Sequence, residues 1–199
     1  YCSLCTPHRY DLTGATTGTH ELAICVDNTD YPTGGGHLTS RDTQTNWNGI
    51  VGRIELQARR ACPEYIYAVP DPEARRLHVR AEIKGIACGT AELRVFDTTQ
   101  EYGSAKAEVS SDAPLECDID LSESTPLWSD SDPAPLKLEM TIGEDRFTVT
   151  VGLRRVSSDD RTLLINGRQT FLRGKHDGLV FPQTGYMPTD LDSWLKFFE

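Results

Sequence analysis

The sequence has no long hydrophobic run and no cluster of basic residues. No stretch of about 18 consecutive apolar residues occurs in its 199 residues, so we expect no transmembrane span. Lys and Arg total 20 against 30 Asp and Glu, which gives a formal net charge of −10. Such a surface repels a phosphate backbone, and this argues against nucleic acid as a partner. An uncharged ligand such as a sugar is compatible with the charge, although the charge does not select it.

An initiator methionine and a signal peptide are also absent. The chain begins at Tyr1, and its last residues, up to Glu199, stop within an apolar periodicity typical of a helix. We therefore expect a piece of a longer protein, whose targeting signals lie outside it. Localisation is left unassigned, and a periplasmic or extracellular location is compatible with the longer protein.

The six cysteines show no pattern of paired motifs. Cys2 and Cys5 form a CxxC, but no second pair follows and the nearest histidine is His8. Ordinary thiols are the favoured interpretation, and a zinc or redox site is the alternative. Cys117 is in phase with the apolar residues of a predicted strand, so we expect it to be a buried small hydrophobe. The sequence predicts no cofactor and no metal site.

Apolar and polar residues alternate with period two through the middle of the chain, which is typical of half-buried strands. From Leu77 onward, for example, Leu77, Val79, Ala81 and Ile83 are predicted to face inward. The predicted strands are at residues 65–69, 77–83, 91–95, 105–109, 115–121, 136–142 and 147–153. Seven short antiparallel strands in about 95 residues predict an immunoglobulin-like β-sandwich.

The first sixty residues have a different pattern. Strands are predicted at 20–28 and 50–58, separated by the long polar stretch 29–48. Two strands cannot bury a core, so we interpret this segment as the tail of a larger β domain or as a segment that packs on the next domain.

The last forty residues predict a hairpin followed by a helix. Strands at 162–164 and 169–173 are joined by Asn166-Gly167, a signal for a type I′ turn. A helix is predicted to begin near Thr189, which can cap it, with Asp190 and Asp192 suited to the helix dipole. Its apolar face comprises Leu191, Trp194, Leu195 and Phe198. Strand, loop and helix in this order indicate the opening unit of a parallel sheet or barrel.

Five motifs occur along the chain in a fixed order. Residues 7–28 contain "Y-D-L-T" and then a strand pattern ending in "V-D-N", and residues 47–56 resemble "W-x-G-I-x-R-x-V-x-L", with the arginine one position later. Residues 127–136 contain "L-W-S" followed by proline and leucine, and residues 152–154 form "G-x-R". Residues 164–174 fit "L-N-G-x-x-x-x-L-R-G", with one extra residue at the start. Together the motifs resemble glycoside hydrolase family 2, and they cover nearly the whole chain.

The resemblance implies a domain organisation. Residues 1–60 would be the carboxyl-terminal part of a sugar-binding jelly-roll domain, 61–157 an immunoglobulin-like sandwich, and 158–199 the start of a truncated TIM barrel. The expected fold is therefore mainly β.

The same resemblance implies a retaining exo-glycosidase, and family members act as galactosidases, glucuronidases or mannosidases. Their two catalytic carboxylates are glutamates on middle and late barrel strands, beyond the part that this chain covers. We expect the chain to be an accessory portion, with no catalytic residues and no hydrolase activity of its own. Many members continue with an "R-H-E" run where this sequence has Lys175-His176-Asp177, and this leaves the sugar open.

Two groups of residues are candidates for contact with a carbohydrate substrate in the longer protein. Lys175, His176 and Asp177 end the predicted first barrel strand, and barrel active sites lie at the carboxyl ends of the strands. A loop that merely caps the barrel is the alternative. The second group is Asn46, Trp47 and Asn48, because the family's sandwich loops reach the barrel mouth. Their amides can bond sugar hydroxyls and the indole can stack on a sugar ring, although core packing is the favoured role of Trp47.

A carbohydrate-binding or cell-surface adhesion module is the alternative function. The hairpin and helix after residue 160 argue against it, and a lone jelly-roll lectin would need more strands than the amino-terminal segment offers. The apolar face of the predicted helix could dock on the sandwich, disorder or drive self-association.

Overall fold

A computed structural model of the protein describes residues 6–27, 49–50, 52–174, 188 and 190–196. The chain divides into two compact units. One is Glu55–Lys175, and the other combines Tyr1–Ile54 with His176–Glu199. The predicted domain boundaries at 60/61 and 157/158 stay predictions.

The described secondary structure is mainly β, with ten strands and one short helix. The strands are β1 (Cys62–Asp71), β2 (Arg76–Lys84), β3 (Cys88–Phe96), β4 (Glu101–Ser110), β5 (Leu115–Asp120), β6 (Leu136–Ile142), β7 (Asp145–Val151), β8 (Val156–Ser158), β9 (Leu163–Ile165) and β10 (Arg168–Thr170). They form three antiparallel sheets with the orders β1-β2-β5, β4-β3-β6-β7 and β10-β9-β8. The first seven strands form the two sheets of the predicted sandwich, and this confirms the expected β-sandwich fold. Strand β8 was not predicted.

The core of the sandwich consists of the side chains that face inward from its two sheets. The inward positions predicted on β2, from Leu77 to Ile83, are all buried and confirm the period-two reading. Other members of the core are Ala91, Leu93, Val95, Val109, Leu115, Ile119, Leu136, Leu138, Met140, Ile142 and Leu153. Cys117 is half-buried against this core, and the burial raises the pKa of its thiol.

Strand β1 lies at the edge of its sheet and contains a register irregularity between Pro63 and Tyr65. Ile66 and Ala68 pack against the core, whereas Tyr67 and Val69 are exposed. Prolines are tolerated at a sheet edge because they remove a main-chain donor that would otherwise be unpaired there.

The two strands predicted in the amino-terminal segment are wrong within the described residues. Residues 20–27, 50 and 52–58 belong to no strand, and their apolar side chains, such as Ile24 and Leu56, are exposed. A period-two pattern favours a strand only where a neighbouring strand and a core receive it. The jelly-roll assignment of residues 1–60 therefore stays a prediction.

The helix α1 (Leu191–Leu195) begins one residue later than the predicted cap implied. Asp190 is the N-cap, and its carboxylate accepts a hydrogen bond from the Ser193 main-chain N–H at 2.8 Å. The predicted cap, Thr189, lies outside the described residues, as does Phe198 of the apolar face. Leu191 is exposed, and the Trp194 indole donates to the Pro188 carbonyl at 2.8 Å. In the described ranges, no helix is long and apolar enough to span a membrane.

Candidate functional site

The residues predicted to contact a sugar lie outside the described part of the chain. This applies to Asn46, Trp47 and Asn48 and equally to Lys175, His176 and Asp177. Their roles stay predictions, and the site that can be built from described residues lies elsewhere, where the chain enters and leaves the sandwich.

The hairpin of β9 and β10 turns at Asn166 and Gly167. Their φ angles are 50° and 75°, as a type I′ turn requires, and this confirms the turn predicted from the Asn-Gly pair. Asn166 also uses both side-chain polar atoms. Its amide nitrogen donates to the Trp128 carbonyl at 3.0 Å, and its amide oxygen accepts from the Arg155 N–H at 2.9 Å. In addition, the Asn166 main-chain N–H donates to the Arg155 carbonyl at 2.9 Å. One turn residue therefore bonds two other segments of the chain.

Trp128 joins the same place to the end of β7. Its main-chain N–H donates to the Leu153 carbonyl at 3.0 Å, beside a bridge between Leu127 and Leu153. The indole lies so close to Gly152 that a Cβ there would be 2.9 Å from the ring carbon Cγ. The guanidinium carbon of Arg154 lies 4.1 Å from the centre of the ring, a cation–π contact.

We call Trp128, Gly152, Arg154, Arg155 and Asn166 the exit junction. Three segments separated in the sequence meet there: the connection before β6, the end of β7 and the turn between β9 and β10. The contacts are hydrogen bonds, a close ring–glycine approach and a cation–π stack, so the arrangement fixes geometry and offers no acid–base pair.

A second set of contacts holds the chain where it enters the sandwich. One carboxylate oxygen of Asp145 accepts from the main-chain N–H groups of Arg60 and Ala61, at 2.9 and 2.8 Å. Gly85, with φ of 89°, passes so near that a Cβ there would be 2.3 Å from the Arg60 carbonyl oxygen. Arg59 stacks on the Phe147 ring at 4.8 Å. We call these residues the entrance junction. The segments that enter and leave the sandwich are thus each fixed by contacts with residues of the sandwich.

A shallow cleft of about 230 Å³ lies on the side of the sandwich between β1 and β7. Ile66, Ala68 and Pro70 line it on one side and Val149 to Gly152 on the other, with Arg154 also in the lining. Glycoside hydrolysis by the usual mechanism needs two carboxyl groups. The lining of this cleft has none, so the cleft is no candidate for that chemistry.

The outer face of the β1-β2-β5 sheet combines two tyrosines with a ladder of ion pairs. The rings of Tyr65 and Tyr67 stack with centres 4.7 Å apart, and Tyr67 is 61% exposed. The pKa of Arg80 is raised, chiefly by a hydrogen bond with the Tyr65 hydroxyl. Cross-strand ion pairs include Arg76 with Asp118 and Asp120 and Arg80 with Glu116, and the His78 ring nitrogen Nδ1 is hydrogen-bonded to Asp118 at 2.7 Å. Exposed pairs of this kind each contribute little to stability.

The most strongly shifted carboxyl group among the described residues serves a turn. Asp97 accepts hydrogen bonds from the Thr99 hydroxyl, the Tyr102 hydroxyl and the main-chain N–H groups of Thr99 and Gln100. The Thr99 hydroxyl is the largest cause, and together these bonds hold the pKa of Asp97 far below its usual range. The group closes the turn between β3 and β4.

The sequence pointed to individual members of the exit junction but did not predict that they meet. From the sequence, Asn166 is a turn residue and a member of the motif at 164–174, and Trp128 belongs to the motif at 127–136. These residues lie far apart in the sequence, and no local pattern shows that they come together. Their contact follows only from the arrangement of the strands.

Several solved structures are similar to this chain. The β-glucuronidase of Bifidobacterium dentium, solved with coumarin-3-O-glucuronide, is 16% identical, with a TM-score of 0.47 over 55% of this chain and 20% of the other. The Faecalibacterium prausnitzii β-glucuronidase is 21% identical, with a TM-score of 0.47 over 58% of this chain and 18% of the other. The Dictyoglomus thermophilum β-D-glucuronidase is 16% identical, with a TM-score of 0.42 over 56% of this chain and 19% of the other.

The chain spans about a fifth of the length of these enzymes. All three TM-scores are below 0.5 and all three identities below 25%, so the likeness assigns neither a family nor an activity to this chain. No protein-family model matches it, and neither does any curated protein at a significant level.

Proposed function

We propose that this chain is the accessory β-sandwich portion of a retaining exo-glycosidase of the glycoside hydrolase family 2 type. In this role it holds the catalytic barrel in place and does not itself cleave glycosidic bonds. The observation that carries the proposal is the exit junction. Residues from three of the five motifs, at 127–136, 152–154 and 164–174, contact one another there at the point where a following domain would begin.

The geometry supports a structural role for the described residues. Both junctions consist of hydrogen bonds to main-chain groups and of close approaches, which fix the path of the backbone. A sandwich held in this way at both ends is suited to act as a rigid spacer between two domains. The described cleft between β1 and β7 is lined by no carboxyl group. In the proposed longer enzyme, the two carboxyl groups that glycoside hydrolysis needs would come from later barrel strands.

The sugar contacts belong to the same proposal. In the longer enzyme, Lys175, His176 and Asp177 would lie at the barrel mouth, with Asn46 and Asn48 bonding sugar hydroxyls and Trp47 packing nearby. Hydroxyl groups of a sugar need donors and acceptors of this kind. The substrate class is a carbohydrate with an O-glycosidic bond, and the particular sugar and linkage are left open.

A panel of aryl β-glycosides tests this function. We expect the 199-residue chain to release no aryl alcohol from any sugar and the longer gene product to cleave one of them. In the longer product, His176→Ala and Asp177→Asn should raise KM or lower kcat for that sugar. The proposal fails if the 199-residue chain turns over substrate and either substitution removes the activity.

A carbohydrate-binding module is the second candidate, because the stacked tyrosine pair on β1, with Tyr67 exposed and Tyr65 half-buried, resembles an aromatic binding surface. The longer gene product distinguishes the two functions. Inactivity on every glycoside, together with retention of the chain on an immobilised polysaccharide that Tyr67→Ala abolishes, would favour the binding module.

A further inference from the structure

We infer that Asn166 is a latch that locks the β8-β9-β10 sheet onto the sandwich and so fixes the direction in which the chain leaves it. The latch deepens the proposed spacer function, on which its consequence for a following domain rests. Its existence in this chain can be tested without any enzymatic activity.

A type I′ turn needs no such latch. The turn requires only that both central residues accept positive φ, which glycine, asparagine and aspartate all do. Asn166 does more than satisfy the backbone, because its side-chain oxygen and nitrogen bond main-chain groups of Arg155 and Trp128. Trp128 is 38 residues away in the sequence, so this bond closes a long-range contact and is no part of the hairpin.

The small sheet needs an external support. Each of its three strands has three residues, and short strands of this kind are marginal on their own in water. Buried contacts within the sheet are few, with Ile165 and Thr170 as its buried members. Its position therefore depends on what joins it to the sandwich. Two described side-chain contacts do so: the hydrogen bond from the Asn166 amide nitrogen to the Trp128 carbonyl and the Arg155–Glu73 ion pair at 2.8 Å. The bonds between Asn166 and Arg155 extend the ladder of β8 and β9 and so tie the turn to that ladder.

The consequence lies immediately after β10. Phe171 and Leu172 are 76% and 81% exposed, so the chain leaves the sheet with two large apolar side chains uncovered. If the sheet is locked, these side chains are presented in one orientation relative to the sandwich. A loose sheet would present them in many orientations, at an entropic cost to whatever packs on them.

NMR on the 199-residue chain tests the latch with matched substitutions. Asn166→Gly keeps a residue suited to positive φ but removes both side-chain bonds, so the turn geometry is preserved while the latch is lost; glycine also adds freedom to the unfolded chain, and Asn166→Asp serves to separate that effect. Asn166→Asp keeps the acceptor for the Arg155 N–H and loses the donor to Trp128. Gln169→Ala, at an exposed position of the same hairpin, is the control.

In the wild type and in Gln169→Ala, residual dipolar couplings of residues 163–170 should fit the same alignment as those of the seven-stranded sandwich. In Asn166→Gly they should no longer fit it. Hydrogen exchange of the β9 amides should rise about ten-fold or more, and that of core amides such as Leu93 and Met140 less than about two-fold. Asn166→Asp should lie between.

The inference is overturned if the couplings of Asn166→Gly still fit the sandwich alignment with unchanged exchange. It is equally overturned if exchange rises by the same factor in the hairpin and the core, because the side chain would then support the whole fold. Should Asn166→Gly fail to fold, Asn166→Asp decides by the same two criteria. Failure of the latch leaves the glycoside assay untouched, and inactivity of the longer gene product leaves the NMR result untouched.

Discussion

The contact between Gly152 and Trp128 can be tested by a double-mutant cycle. An alanine Cβ at position 152 would lie 2.9, 3.0 and 3.1 Å from Cγ, Cβ and Cδ1 of Trp128. Carbon atoms pack at about 3.5–4.0 Å, so each of these contacts is too short by several tenths of an ångström. The backbone of Gly152 is not in the left-handed region, so a methyl group there causes no strain of its own. The clash with the tryptophan should therefore dominate the effect of Gly152→Ala.

The expected magnitudes follow from that geometry. Overpacking of this kind costs about 1–3 kcal/mol. A compatible Gly→Ala change recovers about 0.4–1 kcal/mol through the unfolded state, which leaves a net loss of roughly 1–2 kcal/mol in the wild-type background. Trp128→Ala removes two of the three short contacts and keeps the one to Cβ. In that background Gly152→Ala should cost less, because one short contact remains instead of three, and the coupling between the two substitutions should be about 1 kcal/mol.

Urea unfolding followed by far-ultraviolet circular dichroism measures the four free energies, since fluorescence would lose one of its reporters with Trp128. Gly89→Ala is the matched control, because a Cβ there meets only the Ile86 Cδ1 at 3.7 Å, an ordinary contact. It should be neutral or slightly stabilising and additive with Trp128→Ala. Additivity of Gly152→Ala with Trp128→Ala to within about 0.5 kcal/mol would refute the reasoning.

Two further predictions test other parts of the sandwich. A Cβ at Gly103 would lie 2.4 Å from a main-chain oxygen at the end of β5, and a backbone atom cannot rotate away. Gly103→Ala should therefore lower the free energy of unfolding by about 3 kcal/mol or more in urea, and a loss below about 1 kcal/mol would contradict this close approach. The pKa of Asp97 is held low, first by the Thr99 hydroxyl and then by the Tyr102 hydroxyl. For a depressed carboxyl pKa, the stabilisation is complete above the ordinary value of about 4 and is lost as the pH falls toward the folded-state value. The stability gap between wild type and Asp97→Asn should thus narrow as the pH is lowered from about 5 to about 2, and a gap that stays constant or widens over this range counts against the assigned hydrogen bonds.

The seven strands of the sandwich could be predicted because the alternation of apolar and polar residues within each strand shows which of its faces is buried. Val79, Ala81 and Leu93 alternate with charged residues, and this alternation depends only on one face being buried. The turn at Asn166-Gly167 was predictable for a related reason, since its backbone conformation is a local requirement.

Other features were not predictable because they depend on contacts distant in the sequence. Strand β8 has three residues, too few to show a period. The strands expected at 20–28 and 50–58 had the right alternation, but their described residues belong to no strand in the structure. Strand propensity alone was therefore not sufficient to predict a strand there. The helix cap moved from Thr189 to Asp190 because two neighbouring residues could both cap, and only the Ser193 N–H distinguishes them.

The exit junction assigns a structural role to several residues of the sequence motifs. Trp128, Gly152, Arg154 and Asn166 belong to three different motifs. In the structure all four fix the path of the backbone. The indole occupies the space beside Gly152, the Arg154 guanidinium stacks on the indole, and the Asn166 amide donates to the Trp128 carbonyl. Motifs of this kind identify an architecture more directly than a chemistry. Under the proposed function, the choice of sugar would fall to other residues. The candidates are the amides of Asn46 and Asn48 and the His176-Asp177 pair, so substitutions there should change which glycoside the proposed longer enzyme accepts, whereas substitutions at the junction should affect all glycosides alike.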